Sequence, residues 1–379
     1  MSDTTGDAIK NKSLSQKIKS KNNIANIIAQ KQKTFMKKYI LFLSLVCVAA
    51  AVKAQSDKEP YITKSLSNQS IQNVKVETSG GSISVAGVSP GDAKIEVYVS
   101  GNNGLGTLSK DEIQKRLEEN YELKVSVDGN TLNAYARQKH DNMNWKKGLN
   151  ISFKVYAPKN VSTDLNTSGG SIRLSDLSGT QKFRTSGGSL NVDNITGKVD
   201  GGTSGGSIHL SNSGSDIELR TSGGSIEAKN CKGKLDLETS GGSLDLNDLD
   251  GTIEASTSGG HINADNIKGE LTANTSGGSI RMTNIAASLE TSTSGGNINV
   301  EISTVGKYVK LNNSGGGIDL QLPANKGYDL DLRGNKVKVS PMNNFSGDTD
   351  DNSITGKING GGTQVVARSG SGRVNVSFK

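Results

Sequence analysis

A four-residue sequence, TSGG, recurs along the chain at a fixed interval and constrains the fold more than any other feature. It begins at Thr167 and at every 18th residue from there to Thr293. An earlier copy begins at Thr78, and a relaxed copy, NSGG, begins at Asn313. A fixed internal period is typical of solenoids, in which each repeat packs against its neighbours and cannot bury its apolar face alone.

Within each repeat, apolar and polar residues alternate. With the threonine as position 1, positions 6 and 8 are apolar in every regular copy, as in Ile226 and Ala228, whereas the residue between them is polar. Positions 15 and 17 and the next threonine form a second alternation, as in Leu235, Leu237 and Thr239. Because alternation of period two indicates a strand with one buried face, each repeat contains two strands, and the threonine points inward.

These patterns predict an all-β fold, a parallel β-solenoid (β-helix) of 18-residue coils that is regular over residues 166–322. Successive coils stack about 4.8 Å apart, so eight coils form a rod about 40 Å long. Aromatic residues make up only 4% of the chain, which suits the thin core of such a rod. The handedness and the number of faces stay open.

The glycine pair of each repeat is predicted to build a corner, because glycine permits positive φ and lets backbones stack without an intervening Cβ. Position 10 is Asp or Asn in most copies, and these residues tolerate left-handed turns. The predicted corner glycines are Gly169, Gly170, Gly187, Gly188, Gly205, Gly206, Gly223, Gly224, Gly241, Gly242, Gly259, Gly260, Gly277, Gly278, Gly295 and Gly296. A serine repeated in this way is a structural element rather than a nucleophile.

The two ends of the rod depart from the repeat and are predicted to be caps. Residues 55–165 hold the early coil and an insertion with several strands and one short helix at 109–120, for which Ser109 and Glu112 form a capping box. Residues 323–379 form an irregular carboxyl-terminal β cap with a loop at 343–352. In this cap Val374 and Val376 match positions 6 and 8, so residues 55–379 are predicted to form one structural domain.

The amino-terminal residues predict export. Residues 36–54 combine two lysines, an apolar run and small residues before Gln55, which is typical of a signal peptide; an uncleaved membrane anchor is the alternative. Residues 1–35 form a polar leader that need not be translated if Met36 is the start. The formal charge of +7 resides here, since residues 1–54 hold ten lysines and two aspartates and the rest carries −1. We therefore expect no nucleic-acid partner, membrane contact only through the signal segment, and a location in the periplasm, on the cell surface or outside the cell.

Few residues qualify as chemical sites. Position 16 carries an acidic column, Asp200, Glu218, Asp236 and Glu254, which could attract a cation or a basic partner; a solvated face neutralised by neighbouring lysines and arginines is the simpler interpretation. The three histidines show no metal-ligand spacing, Cys231 falls at an apolar position, and the glycine loops lack the lysine of a phosphate-binding loop. We therefore predict no catalytic residue, no metal site and no cofactor.

An aromatic residue in the insertion is the other candidate. Trp145 lies in the polar, basic stretch KHDNMNWKKG, not far in sequence from Tyr121, Tyr135 and Tyr156. An exposed aromatic side chain beside lysines could contact a glycan or a protein, and packing against the core is the alternative.

The TSGGSI repeats, the helix LSKDEIQKRLEENY, the segment NISFKVYAPKNVSTDLNTSGGSI and the ending SGSGRVNVSF resemble a bacterial domain family of unknown function that is called "putative adhesin" and is common in Bacteroidota. The resemblance covers residues 60–379 and implies an exported, non-enzymatic β-solenoid that binds a protein or glycan at the cell envelope. The alternatives are a carbohydrate-active parallel β-helix enzyme and an envelope structural or stress-associated protein without an adhesive role.

Overall fold

The 18-residue repeats fold into stacked parallel coils, as the alternation predicts. The structure is a computed structural model, and it describes residues 59–102, 108–140 and 148–379. Trp145, the leader 1–35 and the signal segment 36–54 lie outside the described residues. Residues 60–379 form one compact unit, and this unit is a parallel β-solenoid with one short helix, so the predicted fold class is confirmed.

The strands fall into three groups along the chain. The amino-terminal cap contains β1 (Ile62–Ser65), β2 (Asn73–Thr78), β3 (Ile83–Val88), β4 (Lys94–Gly101), β5 (Tyr121–Asp128), β6 (Thr131–Gln138) and β7 (Leu149–Pro158). The regular coils contain β8 (Ser162–Thr167), β9 (Ile172–Ser175), β10 (Gln181–Thr185), β11 (Leu190–Asp193), β12 (Thr196–Thr203), β13 (Ile208–Ser211), β14 (Gly214–Thr221), β15 (Ile226–Thr239), β16 (Leu244–Thr257), β17 (Ile262–Thr275), β18 (Ile280–Thr293), β19 (Ile298–Ile302), β20 (Tyr308–Asn313) and β21 (Ile318–Leu322). The carboxyl-terminal cap contains β22 (Tyr328–Arg333), β23 (Lys336–Ser340), β24 (Phe345–Thr349), β25 (Ser353–Ile358), β26 (Thr363–Ser369) and β27 (Arg373–Phe378).

The only α-helix among the described residues is α1 (Lys110–Asn120), and its position confirms the prediction. The Ser109 side chain accepts a hydrogen bond from the Glu112 backbone N–H at 3.2 Å, which caps the first turn. Ile113 and Leu117 form the buried face of the helix, which packs near β5. A short 3₁₀ helix spans Pro90–Asp92. No described helix is long and apolar enough to span a bilayer.

Two parallel ladders run along the rod. Ladder A holds the strands that follow each TSGG corner, in the order β3, β9, β11, β13, β15, β16, β17, β18, β19, β21, β27 and β23. Ladder B holds the strands that lead into each corner, in the order β2, β8, β10, β12, β14, β15, β16, β17, β18, β20, β26 and β22. The 14-residue strands β15 to β18 bend through both ladders.

The register keeps each position of the repeat in one column. Ile226 pairs with Leu244, which pairs with Ile262, and the inward side chains of both ladders are almost fully buried. The threonines point inward as predicted, and each bonds to the coil before it; the Thr239 hydroxyl donates to the Gly224 carbonyl at 2.7 Å and accepts from the Gly242 N–H at 3.3 Å. Every corner is therefore tied both within its coil and to its neighbour.

The corners differ from the prediction in one respect. Left-handed backbone lies at position 10, as in Asn230 with φ of 57°, and at position 13, as in Gly233 with φ of 102°. The TSGG glycines do not have positive φ, so that part of the expectation is wrong. What requires glycine there is close stacking, since a Cβ on the second glycine of Gly241–Gly242 would lie 2.1 Å from the Gly224 carbonyl oxygen.

At both ends of the rod the spatial order of coils departs from the sequence order. The early coil, β2 and β3, lies between β6 and β7 on one side and β8 and β9 on the other. The coil of β26 and β27 likewise lies between β20 and β21 on one side and β22 and β23 on the other. Antiparallel strands then close the ends: β1 and β4 pair beyond β7, β5 pairs with β6, and β25 and β24 pair beyond β22.

The predicted loop at 343–352 is wrong, because β24 occupies Phe345–Thr349 and pairs antiparallel with β25. Its sequence, FSGDT, is rich in turn-forming residues and only Phe345 is partly buried. Because so little of this strand is buried, its sequence shows no alternation of apolar and polar residues. Its strand conformation depends on pairing with β25 and not on a pattern of its own.

Candidate functional site

The predicted acidic column is real as a geometric feature. Asp200 pairs in register with Glu218, Glu218 with Asp236, and Asp236 with Glu254, so the four carboxylates occupy consecutive strands of ladder B. Strands in a sheet lie about 4.8 Å apart, which places like charges close together. The column therefore needs compensating charge, from the protein or from a ligand.

Two arginines of the same face supply most of that charge. Arg184 bonds to the Asp200 carboxylate. Arg220 contacts Glu218 at 3.0 Å, Asp236 at 3.0 Å and Glu238 at 3.1 Å through three different nitrogens. Partial burial opposes the charged form of Arg220, but its hydrogen bond to Asp236 and the surrounding carboxylates raise its pKa. These pairs make the first three carboxylates of the column poor cation ligands.

Glu254, the last member of the column, has no ion-pair partner among the described residues, and the next coil carries Thr272 in register with it. One carboxylate is not a metal site. Within the described ranges no three His, Cys, Asp or Glu side chains converge to hold a metal ion. Cys231 is fully buried, and burial raises the pKa of its thiol, which keeps the sulfur protonated.

The tyrosines near Trp145 in sequence are not brought together. Tyr121 is buried, and its hydroxyl accepts a hydrogen bond from the Leu149 N–H at 2.8 Å. Tyr135 lies on the outer side of β6 with its hydroxyl 2.6 Å from Glu122, and Arg137 stacks over its ring at 4.8 Å. Tyr156 lies on β7, which pairs with β3 of ladder A, and Lys94 covers its ring at 5.0 Å. The rings of Tyr135 and Tyr156 therefore already have cationic partners.

The outward surface of ladder A, formed by positions 7 and 9 and here called face A, carries a trough near the carboxyl-terminal end. The trough has a volume of about 260 Å³ and crosses β18, β19, β21 and β27. Arg281, Asn299 and Asp319 form one wall, and Thr283, Glu301 and Gln321 form the other. The register keeps the walls parallel, because Arg281 pairs with Asn299 and Asn299 with Asp319.

The polar groups in this trough are only partly satisfied by the protein. Asp319 accepts a hydrogen bond from Asn375 at 2.7 Å, and Glu301 pairs with Lys379 at 3.2 Å. Arg281, Asn299 and Gln321, in contrast, make no side-chain hydrogen bond or ion pair with any described residue. The trough thus offers a guanidinium and an amide on one wall and a second amide on the other, a set that can both donate to and accept from a polar ligand.

Two other grooves are present among the described residues. One, of about 180 Å³, lies on the outer side of β2, β6 and β8, and the Arg137–Glu77 ion pair forms part of its wall. The other, of about 760 Å³, is an open polar hollow at the carboxyl-terminal end, lined by the turn of Arg333, Gly334 and Asn335 and by Ser369 and Ser371. The repeat pattern does not predict any of the three, because outward polar positions look alike in sequence and only the contacts between coils show which are paired.

One family model matches most of the chain and agrees with the fold. The family model described as Toastrack DUF4097 matches residues 107–283 and 270–377. No curated protein matches the chain.

Three solved structures are similar over most of their length. A protein described as a "putative cell adhesion protein" from Clostridium sporogenes shares 14% identity with a TM-score of 0.18, and covers 85% of this chain and 100% of its own. A "putative adhesin" from Bacteroides fragilis shares 13% identity with a TM-score of 0.28, covering 84% of this chain and 96% of its own. A "putative adhesin" from Parabacteroides distasonis shares 12% identity with a TM-score of 0.26, covering 84% and 98%.

Proposed function

The chain belongs to the Toastrack DUF4097 family, and we propose that it is an exported, non-enzymatic binding scaffold of the cell envelope with an adhesin-like role. Its rod holds face A straight, and face A presents polar groups to a protein or a glycan. The location is the periplasm, the cell surface or the exterior. Residues 55–379 act as one domain after removal of the signal segment.

The observation that carries this proposal is the contrast between the face A trough and the charged column of ladder B. On ladder B the outward charges are largely consumed by the protein itself, as in Arg220 with its three carboxylates. On face A, Arg281, Asn299 and Gln321 are left without described partners in a shallow trough. Unpaired hydrogen-bonding groups on a rigid sheet favour recognition, because a ligand gains contacts without first breaking protein contacts.

The geometry also favours binding over catalysis. Between Thr167 and Thr293 the repeat step never varies, so no insertion builds a cleft over either ladder. Hydrolysis of a glycosidic bond needs two carboxyl groups held on either side of the substrate, whereas the four carboxylates of the acidic column stack on one face and three of them pair with arginines. The carbohydrate-active alternative predicts that purified protein releases reducing or unsaturated ends from polysaccharides, and such release would refute the non-enzymatic assignment.

The test is a binding screen with the chain from Gln55 immobilised on beads, against a glycan array and against envelope and host-surface proteins. A ligand found in this way is measured again with Asn299→Lys, which blocks the trough, and with Asn274→Lys, the same change on ladder B. Both asparagines are partly buried, and Asn274 in addition accepts a hydrogen bond from the Ser292 hydroxyl at 2.7 Å, so folding of both variants is verified before binding is measured. Since loss of one or two good hydrogen bonds is worth about 1.4 kcal/mol, we expect Asn299→Lys to weaken binding about tenfold and Asn274→Lys to leave it unchanged.

Equal effects of the two changes would overturn the assignment of binding to face A. The adhesive role is tested separately, by deleting the gene and measuring attachment of the cells to surfaces coated with the ligand. Reduced attachment that returns with the wild-type gene, but not with Asn299→Lys, supports the proposal. Unchanged attachment of the deletion strain would favour the structural or stress-associated alternative.

A further inference from the structure

The coil nearest the carboxyl end of the chain is not the outermost coil of the rod. Residues 363–379, here called the closing segment, supply β26 and β27. β26 pairs with β20 from Tyr308↔Gln364 to Asn313↔Ser369 and, on its other edge, with β22 from Tyr328↔Thr363 to Arg333↔Arg368. β27 is held in the same way between β21 and β23. The closing segment therefore fills a slot whose two walls, β20–β21 and β22–β23, both precede it in the chain.

The tether that connects the closing segment to the rest of the chain is short. It consists of Gly360, Gly361 and Gly362, all with positive φ (84°, 85° and 155°). A Cβ on Gly360 would meet no atom within 4 Å, whereas a Cβ on Gly361 would lie 2.6 Å from an Asp329 carboxylate oxygen and one on Gly362 would lie 2.6 Å from the Gly327 carbonyl oxygen, so only the first glycine of the tether is unpacked. Asn359 anchors the near side of the tether, because its amide donates to the Ala324 and Lys326 carbonyls at 3.3 Å and 2.9 Å. Three consecutive glycines can redirect the chain at low cost, so the segment can leave the slot while the slot stays in place.

The slot cannot remain empty. Val365, Ala367, Val374 and Val376 of the closing segment are at most 2% exposed, and the ring of Phe378 stacks on Tyr328 at 5.7 Å. Withdrawal would expose these side chains together with two unpaired strand edges. An identical segment restores every one of these contacts, including Arg368–Asp331 at 2.5 Å and Asn375–Asp319 at 2.7 Å.

We propose that the slot accepts the closing segment of a second copy of this chain, so that two copies exchange residues 363–379 and form a reciprocal dimer. Monomer and dimer share the same ladders and differ only in the path of residues 360–362, which is the condition under which exchange of identical elements gives dimers. Because Asn375 and Ser377 line the face A trough, each trough of the dimer contains residues from both copies. The proposal does not depend on the proposed function.

The test uses pairs of chains that begin at Gln55 and carry one introduced cysteine each; Cys231, the native cysteine of these residues, is replaced by alanine so that it cannot form a disulfide during refolding. Lys310 and Val366 are register partners across the slot, and both side chains are partly exposed. A chain with Lys310→Cys is unfolded and refolded together with a chain with Val366→Cys under mild oxidation. Neighbouring strand positions lie within disulfide range, so exchange is expected to give a covalent heterodimer at twice the mass. Lys310→Cys paired with Asn375→Cys, which is not in register, is expected to give none.

A chain that carries both cysteines controls for geometry, since it closes the same disulfide within one molecule. Deletion of Gly361 and Gly362 should raise the dimer yield at least several-fold, because a shortened tether hinders return to the chain's own slot, whereas insertion of three residues after Gly361 should lower it. The proposal is overturned if the double-cysteine chain closes its disulfide and the co-refolded single-cysteine chains form no heterodimer. It is also overturned if the shortened tether yields a folded monomer.

Discussion

Substitution of alanine at the two glycines of one corner should destabilise the protein to very different extents, although the two residues are adjacent in sequence. A Cβ on Gly242 would lie 2.1 Å from the Gly224 carbonyl oxygen, 2.4 Å from its carbon and 2.6 Å from the Ser225 nitrogen. A Cβ on Gly241 would meet nothing closer than the Ser222 oxygen at 3.4 Å, an ordinary contact. Gly242→Ala therefore forces two coils apart, and Gly241→Ala does not.

The magnitude follows from what the separation breaks. The Thr239 hydroxyl bonds to the Gly224 carbonyl at 2.7 Å, and the Thr257 hydroxyl bonds to the Gly242 carbonyl at 2.8 Å. Loss of two buried hydrogen bonds costs about 1 kcal/mol each, and overpacking adds about 1–3 kcal/mol. We expect Gly242→Ala to lower the free energy of unfolding by about 3–5 kcal/mol and Gly241→Ala to change it by less than about 1 kcal/mol.

The assay combines urea unfolding, followed by far-ultraviolet circular dichroism, with hydrogen exchange. Because a solenoid need not unfold in one step, exchange of peptides between residues 221 and 257 locates the effect at the altered corner. Loss of protection in these peptides is expected for Gly242→Ala only. Equal destabilisation by the two substitutions would refute the argument that close stacking, rather than glycine's conformational freedom, selects the residue.

Three further predictions concern other columns of the rod. Ser215 has φ of 106° at position 13, where neighbouring coils have glycine. Because this backbone conformation is strained for serine, Ser215→Gly should raise the free energy of unfolding by about 1 kcal/mol. A lower urea midpoint for this variant would contradict the prediction. Gly201 leaves room for the Phe183 ring, which a Cβ at this position would meet at 2.3 Å. Gly201→Ala should therefore lower the free energy of unfolding by about 1–3 kcal/mol, and in a double-mutant cycle Phe183→Leu should recover more than about 1 kcal/mol of that loss. Strict additivity of the two substitutions would refute the contact. The hydrogen bond from Arg368, together with the charges of Arg368 and Arg333, holds the pKa of Asp331 below its ordinary value of 3.8. The ionised Asp331 therefore stabilises the folded protein above pH 3.8, and this contribution is lost as the pH falls below that value. Between about pH 5 and about pH 2.5 the wild-type urea midpoint should therefore fall further than that of Asp331→Asn, and parallel decreases would contradict the assignment.

The sequence predicts the interior of the rod well because one period controls it. Positions 6 and 8 and the inward threonine occupy the same place in every coil, so eight copies repeat one observation. Position 13 carries a similar but less regular signal, with glycine at 179, 197, 233, 251 and 269 and serine at 215, and left-handed backbone there could have been predicted from it. The helix was predictable for a different reason, since the capping box at Ser109 is a local signal.

What the sequence could not predict depends on contacts between segments that are distant in the chain. A period does not reveal that β26 enters between β20 and β22 and β27 between β21 and β23, because both orders bury the same valines. The face A trough is equally hidden, since Arg281 and Arg220 are both outward arginines and differ only in the carboxylates that surround them. Functional groups on a solenoid are thus determined by pairing across coils rather than by residue type.

The central claim, that 18 residues make one complete coil of a continuous rod, is tested most directly by changing the number of coils. Insertion of a second copy of residues 221–292, which is 72 residues or four repeats, should lengthen the rod by about 19 Å in small-angle X-ray scattering and leave unfolding cooperative. Insertion of residues 221–283, which is 63 residues and half a coil out of phase, should abolish folding because it joins ladder A to ladder B. Equal tolerance of both insertions, or a 72-residue insertion that folds without lengthening the rod, would contradict the account.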